Sequence, residues 1–161
     1  MTHFRCIAID TEIAARFRRT GLDDHDNTLR RITASSAGNV PCRHCLRHAE
    51  PGETVLLGSY NLPRPRGIYW TPSPIFVHAR DCSRFTQENE IAPIVRGNML
   101  VSVRAYDAAD QCIYELGQVC DGTDVDATLA RALDEPRTAF VNIHTARPGC
   151  LLTRVERTGK E

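Results

Sequence analysis

Residues 99–106, MLVSVRAY, alternate strictly. Val101, Val103 and Ala105 fall on one side of an extended chain, and Ser102, Arg104 and Tyr106 on the other. A period of two marks a strand with one buried and one polar face, and it rules out a helix there. HFRCIAI, LRRITA, TVLLGSY, PIFVHA, CIYELGQV, TAFVNIH and CLLTRVER read as further strands. The turn DAADQ predicts a hairpin between MLVSVRAY and CIYELGQV, and TARPG predicts one between the last two strands. Helical spacing shows in two stretches. In DTEIAARFRRTG, Asp10 stands where a cap belongs, Ile13 and Phe17 share a face, and Gly21 can end the helix. In TDVDATLARALDEP, Thr123 and Asp126 have capping-box spacing, and Val125, Leu129 and Leu133 form the apolar stripe. Many strands with two short helices predict a single α+β domain over residues 1–161, built on a mostly antiparallel, curved sheet.

At 161 residues the chain can bury a full core, so neither a disulfide nor a metal is needed merely to fold it. Twenty basic side chains balance 20 acidic ones, which argues against specific nucleic-acid binding. Lys160 is the only lysine, an arginine bias that fits a GC-rich genome better than selection for anion binding. MTHFRCIAID has the features of neither a signal peptide nor a membrane span. The expected compartment is the cytoplasm, where seven cysteines stay reduced. The long proline-rich connection NLPRPRGIYWTPSP carries Tyr69 and Trp70, which are expected to pin it to the core.

The stretch PCRHCL raises the chemical question. Cys42 and Cys45 can be a redox pair, half of a metal site, or two buried thiols. A redox dithiol needs its first sulfur at a helix N-terminus, and nothing nearby reads as that helix. Zinc needs four soft or borderline donors, typically from two short-spaced pairs. VHARDC supplies a second pair, His78 and Cys82. The segment between the pairs, roughly thirty residues, is longer than in a compact zinc finger. It can close if TVLLGSY and PIFVH lie side by side. The competing reading keeps His78 as a hydrogen-bonded histidine and Cys82 as a small buried hydrophobe. His44 and His48 are spare donors.

PCRHCLR, PIFVHARDC, RAYD and HTARPGC…RVER occur in an order that resembles one family, domain of unknown function 1203, a group of small bacterial proteins. The resemblance runs from about Pro41 to Arg157. SPIF stands here where the family usually has GPIF. The family pattern places Cys or His before the later cysteine, so the resemblance implies that the His78 position tolerates exchange as a zinc ligand does. It implies no activity.

NIHTARPGC is the second informative stretch. A five-residue TARPG loop would set His144 opposite Cys150, and an imidazole beside a thiol favours the nucleophilic thiolate. Asn142 shares the His144 face and can orient the ring. Arg43, Arg104 and Arg147 can offer forks to a carboxylate or phosphate. Cys6, Cys112 and Cys120 lie in apolar patterns and are expected in the core. Two functions follow. One is a zinc-stabilised cytoplasmic binding or interaction domain, with a small anionic molecule or a protein as partner and no membrane or specific nucleic acid. The other is a small thiol enzyme using Cys150, His144 and Asn142 on an anionic metabolite.

Overall fold

The structure, a computed structural model, describes residues 1–35, 39–97 and 100–159. In chain order its main elements are β1 (Phe4–Ile7), α1 (Thr11–Thr20), β2 (Arg30–Thr33), β3 (Thr54–Asn61), β4 (Pro72–His78) and α2 (Pro93–Arg96). Then come β5 (Val101–Tyr106), β6 (Gln118–Cys120), α3 (Val125–Asp134), β7 (Phe140–Thr145) and β8 (Leu151–Arg157). Met99, at the start of the expected strand, and Lys160 lie outside the described residues.

The class is α+β and every ladder between named strands is antiparallel, but the strands divide into two sheets rather than one. A five-stranded sheet runs β1-β8-β7-β5-β6 and a three-stranded one β2-β3-β4. Prolines explain the break. On the edge of β4 away from β3, Phe76 accepts from the Arg43 N–H at 2.9 Å. Pro72 and Pro74 have the same parity, so that edge lacks two donors and cannot receive another full strand. The sheets meet through side chains instead: the Leu151 N–H donates to Ser73 Oγ at 2.9 Å.

Val101, Val103 and Ala105 are fully buried, as their alternation requires. With Val141, Ile143 and Val155 they pack under Val125, Leu129 and Leu133 of α3 and Ile94 and Val95 of α2. Ala14 and Phe17 of α1 lie in a second core with Leu56, Ile75, Val77 and the thiols Cys42 and Cys45. Gly21, with φ of 67°, ends α1 as expected, its N–H bonding the Phe17 carbonyl.

Three local expectations change. CIYELGQV is not one strand. Ile113 and Leu116 both bury at the three-residue spacing of a 3-10 turn, and the chain rejoins β5 only as the short β6. Thr123 does not cap α3. The Asp121 carboxylate accepts from both the Thr123 N–H and hydroxyl, and Asp126 pairs with Arg96. The short α2, begun by Pro93 at its first position, carried too little periodic sequence to be read.

In LDDHDN, expected as a polar loop, Asp23 is buried. Its carboxylate accepts from the N–H groups of His25, Asn27 and Ser59 at 2.8, 2.9 and 2.8 Å. Burial opposes the charge, but the Ser59 and Asn27 donors prevail and hold the carboxyl down at about 2. A carboxylate depressed in this way stabilises the fold above its ordinary value of 3.8 and stops doing so as pH falls toward about 2. Asp23→Ala should therefore cost about 2 kcal/mol or more at pH 7, since it leaves buried donors unpaired. In urea melts the gap between wild type and variant should close between about pH 4 and pH 2. An unchanged gap would remove the carboxylate from this account.

Candidate metal centre

Cys42 and Cys45 sit in a knuckle between the bridged residues Pro41 and His48. The turn is closed by the Cys42 N–H to the Arg47 carbonyl and the Leu46 N–H to the Cys42 carbonyl, both at 3.0 Å. Leu46 has φ of 55°, a left-handed conformation that costs a non-glycine residue about 1 kcal/mol and is held here by complete burial of its side chain. His78 ends β4. It pairs with Val55 across the ladder, so the side-by-side placement of TVLLGSY and PIFVH brings it to the knuckle. Cys82 follows on an irregular segment.

These four side chains converge. One donor atom from each of Cys42, Cys45, His78 and Cys82 lies within 4.8 Å of all the others. Tetrahedral zinc with ordinary bond lengths would set its sulfurs about 3.8 Å apart and a sulfur and an imidazole nitrogen about 3.6 Å apart. Cys42 Sγ and Cys82 Sγ are 3.9 Å apart, and Cys45 Sγ and His78 Nδ1 3.5 Å. The set fits a metal ion.

Its surroundings fit as well. His78 Nε2 donates to Glu53 Oε2 at 2.9 Å, so in the neutral ring Nδ1 is the nitrogen free to face the sulfurs as a donor to a metal. The partner Arg80 and the Glu50 N–H hold Glu53 at about 2, so it stays an anion. Cys42 Sγ accepts from the His78 N–H at 3.4 Å. Cys82, the least buried of the four, receives Arg18 Nη2 at 3.5 Å and has His44 Nδ1 at 3.2 Å. Hydrogen bonds from Cys45 and Cys82 drive the Cys42 thiol down and make it the thiolate of the set, while Cys45, giving its proton to Cys42, is driven up. The Cys42 sulfur, against burial, and Glu53 push His78 up. Protons therefore compete with a metal here, and occupancy should fall as pH falls.

A comparison with family models returns a match over residues 39–157, described as protein of unknown function (DUF1203). The chain belongs to this family. No curated protein and no solved structure matches it. In this DUF1203 chain the matched span holds all four converging residues.

The second constellation is arranged differently from its expectation. The ladder closes one residue later: the Thr145 N–H bonds the Cys150 carbonyl at 2.9 Å, and the Cys150 N–H bonds Thr145 Oγ1 at 3.0 Å. His144 pairs with Leu151, beside a register shift. Its Nδ1 donates to the Gly149 carbonyl at 2.9 Å, and burial with the Arg104 charge pushes it down to about 4. Asn142 does not orient that ring; its amide donates to the Arg64 carbonyl at 3.2 Å. Arg104 donates to Ser102 Oγ at 3.2 Å. Arg43 is buried, and Arg147 is exposed on the hairpin loop; the two line one cavity. Tyr69 and Trp70 pack, Tyr69 against Tyr106 and the Trp70 indole N–H on the Leu62 carbonyl.

Sequence reasoning missed Glu53 and Arg18. EPGE reads only as a turn, and the signal for Glu53 was the register that sets Thr54 and Val55 beside His78. Glu53→Gln keeps the shape but removes the charge from His78 Nε2. Chelator competition should show metal affinity lowered about 10- to 100-fold. Unchanged affinity would mean that Glu53 is only a surface partner of Arg80.

Proposed function

We propose that this chain is a zinc-stabilised cytoplasmic binding domain. The observation that carries the reading is the convergence of three sulfurs and one imidazole nitrogen within 4.8 Å, with two of the separations matching a tetrahedral ion. A donor set of this softness suits zinc. The protein fills all four positions, as structural sites do, whereas a catalytic zinc keeps one position open. All seven cysteines are free, in keeping with a reducing compartment. Bound zinc would supply folding free energy, locking the knuckle to β4 and to the Cys82 segment. The balanced charge supports a small anion or a protein as partner rather than nucleic acid.

The thiol-enzyme alternative has less support. His144, neutral at pH 7 with its Nδ1 proton committed to Gly149, offers no imidazolium to Cys150.

Protein purified without added metal should contain about one zinc per chain by elemental analysis. Cys45→Ala should lose the metal and unfold at a markedly lower temperature, the two losses coming together. A folded protein that under reducing conditions holds no zinc and takes none up would end this reading. So would iron in place of zinc.

A further inference from the structure

We propose that the cavity between the cysteine knuckle and the β7–β8 hairpin loop binds a small organic carboxylate. The reading rests on the binding-domain function above but not on the identity of the metal. The cavity has a volume of about 330 Å³, the size of a small-molecule site. Its walls include Phe76 of β4, Leu100 and Pro148, an apolar surface suited to a hydrophobic body.

Its polar groups are cationic or neutral. Arg43 is 2% exposed and lies between two ligands of the metal cluster. Its Nε donates to the Leu151 carbonyl at 2.7 Å and its Nη1 to the Pro41 carbonyl at 2.6 Å. Among the described residues, the hydrogen bonds of Arg43 go to neutral carbonyls; the charges that favour its cationic form are those of sulfur, on Cys150 and Cys42, and no carboxylate pairs with it. A guanidinium so buried normally meets an anion, because removing its charge from water is costly. Its remaining nitrogen, Nη2, is the one left for a ligand. Arg147 stands at the rim on the hairpin loop, exposed and without an acidic partner among the described residues.

His48 adds a second, independent sign. Both its ring nitrogens are buried, and the contact of one with the Ile94 backbone, at best a loose hydrogen bond, leaves the other without a partner beside the Arg43 charge. An imidazole with a ring nitrogen to spare beside a guanidinium that no carboxylate pairs, in a pocket with apolar walls, suits a ligand with an oxyanion head. Carboxylate is a head whose two oxygens can accept from Nη2 on one side and from an imidazole N–H on the other.

Cys150 lines the same cavity and is half-buried, so it reports on occupancy. The experiment measures its alkylation by neutral iodoacetamide in the intact protein, by mass spectrometry, with Cys120 as internal control. Benzoate should slow Cys150 labelling in a saturable manner and leave Cys120 unaffected; benzyl alcohol should do neither. Arg147→Gln should raise the half-protecting benzoate concentration about tenfold, with the melting temperature unchanged. Equal protection by benzyl alcohol, no protection by benzoate, or wild-type protection in Arg147→Gln would overturn the proposal. Protection by inorganic phosphate where benzoate fails would overturn the carboxylate assignment. Zinc is assayed in the same samples. Failure of ligand protection with zinc present sinks this site alone, whereas absence of zinc sinks the metal reading alone.

Discussion

The fold turns on the backbone of residues 42–46. Four backbone groups of this knuckle are each committed to a different part of the chain. The Arg43 carbonyl receives the Ile9 N–H from the β1–α1 junction, and the Arg43 N–H reaches Phe76 of β4. The His44 carbonyl receives the Phe85 N–H, and the Leu46 carbonyl receives the Ile94 N–H from α2. A buried peptide group left unpaired costs free energy, so these bonds dictate where each segment can lie. The knuckle stands where the two sheets, α1 and α2 meet. Its side chains repeat the pattern: the thiols enter the core behind α1, and Arg43 crosses to the Leu151 carbonyl of β8.

Such a hub must hold its shape. The turn is tight enough to force Leu46 into a left-handed backbone, and the segment carrying Cys82 has no strand or helix to fix it. Domains of this kind are stable by only about 5–15 kcal/mol, and structural zinc in small sites supplies a comparable amount, about 10–16 kcal/mol. On the proposed reading, the ion would set the distance between the knuckle, the end of β4 and the Cys82 segment. The rest of the chain has a large enough core to fold around it.

The sequence was most legible where one period governed a whole element. MLVSVRAY and the Val125–Leu129–Leu133 stripe bury the expected residues. The candidate metal donors were legible because two short-spaced pairs need only one strand pairing to meet, and the β3–β4 ladder provides it. Legibility ended where a single residue decided the outcome. Two prolines on one parity of β4 split an expected sheet in two. One position in the β7–β8 ladder separated His144 from the place opposite Cys150. A period-two pattern cannot signal such a shift when both faces are buried, and every residue of β7 from Phe140 to His144 is buried. Thr123 shows the same limit: a capping box and an aspartate turn use the same residue types, and Asp121 bound it first.

On the proposed readings, Arg43 would link the structural and the binding roles. A lysine could fill the same space, but its ammonium has no planar fork with which to hold two carbonyls at fixed angles and still present a donor to a third group. With Nε on Leu151 and Nη1 on Pro41, the guanidinium plane is fixed by the backbone of two separate segments, β8 and the knuckle. That rigidity stands out of reach of a surface arginine such as Arg147. On those readings, a residue so close to both knuckle cysteines would transmit the geometry of the metal site to the cavity. A change in the knuckle would turn the guanidinium, and a ligand seated on Nη2 would stiffen the knuckle. Metal and carboxylate would then favour each other's binding, because each orders the same short turn.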